Sequence, residues 1–301
     1  MKVWTITSRT SDSAMVDVHS QAGLRNPPMS AKAYERLCSL IHQHSRMHLG
    51  PSKVTLLTNR LGRHRRDLGL DNWEDYVDWL EQHRNEELET LIDLVSTNHT
   101  HFFREAVHFD LLTSTLLDRL LADSPSAKNG LRCWSAGCSS GEEPFTLAIV
   151  LSEYAQRKQP GLRWQIEATD ISHRALHKAR QAVYDIDRLG LPDASWLRKY
   201  FQKGSGPYEG CCKVKDSLQQ NVRFRRMNLF AEHYPITLPQ HVIFCRNVLI
   251  YFETDAQTQL VQRLHDSLEP GGLLIVGHSD SLLRIKHPLN SLGNGIYQRS
   301  P

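Results

Sequence analysis

The chain has 301 residues, with 36 Lys and Arg against 33 Asp and Glu and 40% hydrophobic residues. This composition suits one large or two modest folded domains and excludes a wholly disordered or collagen-like chain. A formal net charge of +3 gives no case for bulk nucleic-acid binding, and no apolar run approaches the roughly 20 residues that span a bilayer.

Residues 1–28 are polar, rich in Ser and Thr, and end in Asn-Pro-Pro. They read as a flexible leader and lack the apolar core of a secretory signal. Ser30 then reads as a helix cap, with Tyr34, Leu37, Leu40 and Ile41 at helical spacing. Residues 53–66 carry Lys53, Arg60, Arg63, Arg65 and Arg66 with no acid among them, while Leu57 and Leu61 supply an apolar side. Asn72 predicts another cap, followed by the apolar face of Trp73, Tyr76, Val77 and Leu80, and residues 86–96 continue in helical period. The stretch 29–92 therefore reads as an all-helical N-terminal domain.

Beyond it the pattern changes. A helix over 109–121 and a turn at 124–130 precede a short buried strand, LRCWSAG. Helical period returns over 139–157, LRWQIEATD reads as a second strand, and 172–182 as a helix. HVIFCRN, a helix over 255–268, a Pro-Gly-Gly turn and the strand LLIVGHS follow. Such alternation predicts an α/β fold with a mostly parallel sheet covered on both faces, occupying 93–301. Between 192 and 224 the alternation breaks around GSGPYEGCCKV, which reads as a small hairpin excursion or an irregular surface loop. The six cysteines form no CxxC pair, and two of them, Cys211 and Cys212, are adjacent. They read as reduced thiols of a cytosolic protein rather than a disulfide framework or a zinc site.

The chemistry concentrates where strands end. WSAGCSSGEEP, residues 134–144, runs a buried strand into a turn of small residues and then a helix start. That is where open α/β sheets bind nucleotides, because small residues let the backbone approach a ligand and the helix start offers free N–H groups. There is no GxGxxG fingerprint and no Walker lysine, and the acid pair Glu142-Glu143 disfavours a pyrophosphate. A nucleoside or cationic ligand fits better. Asp170, ending the second strand, either accepts hydrogen bonds from both ribose hydroxyls or caps the following helix. Taken with Gly137 it suggests an adenosine-containing cofactor. Arg246 and Asn247 emerge from the third strand in CRNVLIYF, Tyr251 lies just beyond it, and Asn228 ends FRRMN. In TNHTHFFRE, residues 97–105, polar groups frame Phe102-Phe103, and Arg104 could reach a carboxylate.

Taken in order, TNHTHFFRE, WSAGCSSGEEP, EATDIS, FRRMNLF, CRNVLIYF and GHSDSL resemble the chemotaxis receptor methyltransferases of the CheR family over about residues 30–299. The resemblance implies an S-adenosylmethionine (SAM)-dependent O-methyltransferase that leaves S-adenosylhomocysteine (SAH) as its product. Its expected substrates are glutamate side chains on the cytoplasmic helical bundle of methyl-accepting receptors. It implies a Rossmann-like class I methyltransferase domain behind the helical domain, with an antiparallel β-subdomain at about 193–225. By position, the cofactor residues fall on Asn98, Thr100, Arg104, Glu142, Asp170, Asn228, Leu229, Arg246 and Asn247, with Glu142 preferred over Glu143. Arg104, Arg246 and Tyr251 are the expected catalytic residues. Arg60, Arg63, Arg65 and Arg66 would face the acidic receptor bundle, and the β-subdomain would take the receptor's C-terminal peptide tail as an added strand. A cytoplasmic protein recruited to membrane receptor arrays is implied, with no metal, no nucleic acid and no membrane insertion. Asp280 departs from the family, where Glu is frequent.

Overall fold

The computed structural model describes residues 27–236 and 238–301, so most of the expected leader lies outside the described residues. Four helices form the N-terminal unit: α1 (Ala31–Ser45), α2 (Val54–Asp67), α3 (Trp73–Gln82) and α4 (Arg84–Val95). The caps fall where the sequence places them. Ser30 Oγ accepts from the Ala33 N–H at 3.1 Å and Asn72 Oδ1 from the Asp75 N–H at 2.8 Å, each satisfying an otherwise orphaned donor. Leu37, Ile41, Leu57, Leu61, Trp73 and Tyr76 point inward to form a separate core.

The remaining chain builds ten strands: β1 (Leu131–Ala136), β2 (Trp164–Asp170), β3 (Val183–Asp185), β4 (Phe201–Lys203), β5 (Cys211–Val214), β6 (Val222–Arg226), β7 (Gln240–Cys245), β8 (Leu268–Val276), β9 (Leu289–Gly293) and β10 (Ile296–Arg299). Seven form one sheet in the order β6-β2-β1-β7-β8-β10-β9. Its first five strands are parallel and the last two join as an antiparallel hairpin. Strand β7 is buried throughout, as expected where helices cover both faces. Side chains alternate across the sheet: Cys133 packs with Phe145 of the helix Glu142–Arg157, whereas Trp134 and Ala136 pack with Leu260 and Leu264 of the helix Thr254–Asp266. Because β1 has β2 on one side and β7 on the other, the strand order reverses at β1, and the crevice beyond its carboxyl end is the topological switch point.

Three local expectations are corrected. Residues Pro125–Asn129 form a short helix capped by Ser124 rather than a turn. The Pro-Gly-Gly segment lies inside β8, where the register against β7 slips between Gln240 and Val242. The small antiparallel sheet, in the order β3-β5-β4, spans 183–214 rather than 193–225, because β3 pairs with β5 while Val222–Arg226 joins the main sheet beside β2. All six cysteines are unpaired. Cys211 and Cys212 follow one another along β5 and so face opposite sides, Cys212 being buried and Cys211 half-buried. Among the described residues no helix is long and apolar enough to cross a membrane.

Candidate active site

The turn after β1 is held by backbone before any side chain contributes. The N–H groups of Gly137 and Cys138 both donate to the Thr169 carbonyl, at 2.8 and 2.9 Å. Gly137 has φ +81°, and a Cβ there would meet Val248 Cγ2 at 2.5 Å, so only glycine lets the strand end lie this close to its neighbour. The turn then runs under Asp170. One carboxylate oxygen accepts from the Ser139 N–H at 2.8 Å and the other from the Ser172 N–H at 2.9 Å. Burial raises the pKa of Asp170, and these backbone donors oppose the rise. Ser172, not Asp170, caps the following helix, accepting from the Ala175 N–H at 3.1 Å. Each Asp170 oxygen has a further lone pair for a hydroxyl donor.

A cavity of about 360 Å³ opens over this turn, within the size range of small-molecule sites. Gly137, Ser139 and Asp170 line it, as do the predicted Asn98, Thr100, Arg104, Asn228, Leu229, Arg246, Asn247 and Tyr251. Glu142 does not. Its carboxylate accepts from Ser140 Oγ at 2.8 Å, and burial raises its pKa. The lining acid is Glu143, which accepts from Ser135 Oγ at 2.7 Å and from Arg246 Nε at 2.9 Å. The resemblance favours Glu142, whereas Glu143 is the member of the pair that borders the cavity. The helix beginning at this acid pair turns the second carboxylate, not the first, back over β1.

Arg246 is also placed differently from expectation. It is buried, and its guanidinium meets Glu143, the Arg104 carbonyl at 2.6 Å and His108 Nδ1 at 3.0 Å. It lines the cavity as a brace tying β7 to the helix start and to residues 104–105, rather than as an open fork for a ligand carboxylate. His108 accepts from Arg246 at Nδ1 and donates from Nε2 to the Asn294 carbonyl at 2.8 Å. Burial, with Arg246 beside it, pushes its pKa down to about 4. The ligating atoms of Glu105, His108 and His278 lie within 4.8 Å of one another, but Arg246 already engages His108 Nδ1, the nitrogen facing Glu105. Arg104 is half-buried, donates to the His99 carbonyl at 2.9 Å and borders the cavity.

Asn247 adopts φ +57°. The loop it begins is pinned by Asp280, whose carboxylate accepts from the N–H groups of Asn247, of Gly277 at 3.0 Å and of Ile250 at 3.1 Å. Asn247 Nδ2 donates to Glu105 Oε1 at 3.3 Å. The helical domain closes the other wall through Met47, His48 and Leu49. Met47 bridges to Phe252, the His48 N–H donates to the Tyr251 carbonyl at 2.8 Å, and Asn228 Nδ2 donates to the His44 carbonyl at 2.7 Å.

The α2 arginines lie outside the cavity and divide. Arg63 is exposed beside Asp67 and Arg66 is half-buried. Arg65 is buried, donates to the Leu70 carbonyl and lies over the Trp73 ring at 5.2 Å, which removes it from any receptor-facing surface. Arg60 is half-buried and turned toward the domain junction, donating to the carbonyls of Val95 and Ser96 and to Thr97 Oγ1. It too is withdrawn from the expected row.

Comparison with known proteins resolves the reading. The family described as CheR methyltransferase, SAM binding domain, matches residues 98–297, and the one described as CheR methyltransferase, all-alpha domain, matches residues 32–96. The chain belongs to the CheR methyltransferase family. A chemotaxis protein methyltransferase of Salmonella typhimurium is 36% identical over 274 residues, covering 90% of this chain and 91% of that one. Its counterpart in Borreliella burgdorferi is 36% identical over 250 residues, covering 82% and 87%. Chemotaxis protein methyltransferase 2 of Pseudomonas aeruginosa is 35% identical over 264 residues, covering 88% and 91%. The CheR fold thus comprises a helical unit, a Rossmann-like SAM-binding domain and a small antiparallel sheet, and the chain is a SAM-dependent methyltransferase of chemotaxis. The geometry fits the cofactor: the small-residue turn at Gly137 and Ser139 borders the cavity, and a buried carboxylate stands beside it at the end of β2. Sequence reasoning gave no role to Ser139 or His108, ranked Glu143 below Glu142, and named Asp280 only as a departure from the family. Serine and aspartate, which bond readily to nearby backbone, were the available signal.

Proposed function

We propose that this CheR protein esterifies glutamate side chains on the cytoplasmic domain of chemoreceptors. The observation that carries the reading is one cavity in which the adenosine-type strand ends, Asp170 and the 137–139 turn, share walls with Arg104 and Tyr251. Asp170 would hold the ribose hydroxyls, and Asn98, Thr100 and Asn247 would supply further polar contacts. When bound, SAM would supply a sulfonium-bound methyl carbon open to in-line attack by a carboxylate oxygen, with the SAH thioether as the leaving group.

The chain's own task is then modest in chemistry and demanding in placement. A glutamate has a reference pKa near 4.3 and is ionised at neutral pH, so no side chain has to remove a proton. Arg104 attracts and orients the incoming carboxylate, and the Tyr251 hydroxyl donates to it. Alignment of two reactants supplies up to about 7–11 kcal/mol in favourable systems, and the wall formed by Met47 and Leu49 excludes water that would screen the charges. Arg63 and Arg66 on α2 would meet the acidic receptor bundle and speed encounter. The exposed edges of the β3-β5-β4 sheet would accept a receptor tail as an added strand. The protein would work in the cytoplasm at receptor arrays.

The test is transfer of labelled methyl from SAM to a purified receptor cytoplasmic fragment. Alkali-labile label, lost when the receptor glutamates are replaced by Ala, is expected. Label that resists alkali, or that appears only on small acids, would contradict the reading.

A further inference from the structure

Glu105 stands behind the cavity wall rather than in it. Its backbone has φ +51°, a left-handed conformation that a non-glycine residue keeps only where its surroundings hold it. Arg246 supplies that hold, donating from Nη2 to the Arg104 carbonyl at 2.6 Å and from Nη1 to the Glu105 carbonyl at 3.4 Å. The side chain then reaches the loops beyond β7 and β8. Oε1 accepts from Asn247 Nδ2 at 3.3 Å and Oε2 from the His278 N–H at 3.2 Å. Burial raises the Glu105 pKa, but Arg246, the Asn247 amide and the His278 N–H together bring it below the usual carboxylate value, so the group is ionised at neutral pH.

Of these partners Asn247 lines the cavity. Its main chain is fixed separately, by its N–H on the Asp280 carboxylate. Its amide nitrogen is seated against Gly277, where a Cβ would meet Nδ2 at 2.7 Å. An ionised carboxylate only accepts hydrogen bonds. The amide therefore turns its nitrogen to Glu105 and its oxygen the other way. Among the described residues no group donates to that oxygen.

We infer that Glu105 is a positioning residue for Asn247, holding the amide so that its oxygen offers an acceptor to the α-ammonium at the amino-acid end of the cofactor. The inference rests on the reading of Asn247 as a cofactor contact, and its test separates the two. Glu105→Gln is the decisive variant. A glutamine has one oxygen, and the His278 N–H, a backbone donor that cannot turn, claims it. The new NH2 group then faces Asn247, whose amide must flip and present nitrogen to the cavity. The first readout needs no ligand. In the full-length chain carrying isotopically labelled asparagine, Glu105→Gln should shift the Asn247 side-chain resonances, assigned by their loss in Asn247→Ala. Glu269→Gln, at a carboxylate paired with Arg132, should leave them in place. Resonances unmoved by Glu105→Gln overturn the inference.

The second readout is calorimetry with two ligands, SAH and its desamino analogue, in which hydrogen replaces the ammonium. The wild-type chain should prefer SAH by roughly tenfold or more, as expected for a hydrogen bond to a charged donor. Glu105→Gln and Asn247→Ala should each narrow that preference to below about threefold, and the double variant should go less than twofold further. The preference is a ratio within one variant, so general loosening of the fold lowers both affinities and leaves it unchanged. A wild-type preference below threefold contradicts the inference. So does a Glu105→Gln effect that persists in full in the Asn247→Ala background, because the carboxylate then attracts the ammonium directly. If Asn247→Ala narrows the preference and Glu105→Gln does not, the cofactor contact stands and only the positioning role falls. If Asn247→Ala leaves both affinities unchanged, the contact falls and the inference with it.

Discussion

The turn after β1 and the basic helix α2 both concentrate charge, yet they use it in opposite ways. At the turn, Asp170, Glu143, Arg246 and Asp280 are all buried or half-buried, and each is bonded to backbone or to an opposite charge. Along α2, neighbouring arginines of identical chemistry diverge, with Arg65 packed under Trp73, Arg60 turned to the domain junction and Arg63 in solvent. The difference teaches that a run of like charges in sequence does not define a surface. A helix rotates successive residues by about 100°, so four arginines within two turns cannot all face one partner.

The largest effect that would break this contrast belongs to Asp170. Asp170→Ala orphans two backbone donors and removes the proposed ribose acceptor. Calorimetry should show SAH binding weakened at least about a hundredfold, roughly 2.7 kcal/mol. A loss below threefold would remove Asp170 from the cofactor site.

The two regions also separate on stability. Arg65→Ala should lower unfolding free energy by about 2 kcal/mol in urea titrations, since it empties a packed, hydrogen-bonded position. Arg63→Ala should stay within about 0.5 kcal/mol, as expected for an exposed pair. Equal losses would erase the distinction between them.

Acid should destabilise the sheet domain through its buried imidazoles. His108 and His241 are both pushed down to about 4, by burial first and then by Arg246 and Arg132 respectively. The unfolded chain, with a reference value near 6.5, takes up protons before the folded one. The stability from keeping them neutral is therefore complete above about pH 6.5 and is lost as pH falls toward 4. Urea titrations at pH 7 and pH 5 should differ by about 2 kcal/mol for each histidine, and His108→Gln should flatten the slope. An unchanged slope would mean that His108 is protonated in the fold.

A smaller effect is expected at Arg104, which is less committed than Arg246. Arg104→Ala should reduce SAH affinity or turnover about tenfold, near 1.4 kcal/mol, while leaving the urea midpoint close to wild type. A large loss of stability with unchanged binding and turnover would make it a brace like its neighbour.

Much of this was legible in the sequence because parallel strands and helix caps leave local marks. The buried runs around Trp134, Ile166 and Phe244, the caps Ser30 and Asn72, and the small-residue turn at Gly137 all state their roles within a few residues. Pairing across the chain is not written locally. That Val222–Arg226 would lie beside β2, that Ile296–Arg299 would return beside β8, and that Val183–Asp185 would join β5 depends on partners far away in sequence. The site divides in the same way. Strand-end residues were readable by position. The choice between Glu142 and Glu143 turned on helix rotation, and the roles of Asp280 and Arg60 turned on contacts across 33 and 37 positions.

The central claim is that the adenosyl group of the cofactor rests on the Gly137–Ser139 turn with its ribose on Asp170. A crystal structure of the full-length chain with SAH tests it most directly. The account predicts both ribose hydroxyls within hydrogen-bonding distance of the Asp170 carboxylate and the amino-acid end toward Asn98, Thr100 and Arg104. Density for the ligand elsewhere, or an Asp170 carboxylate with no contact to it, would contradict the account.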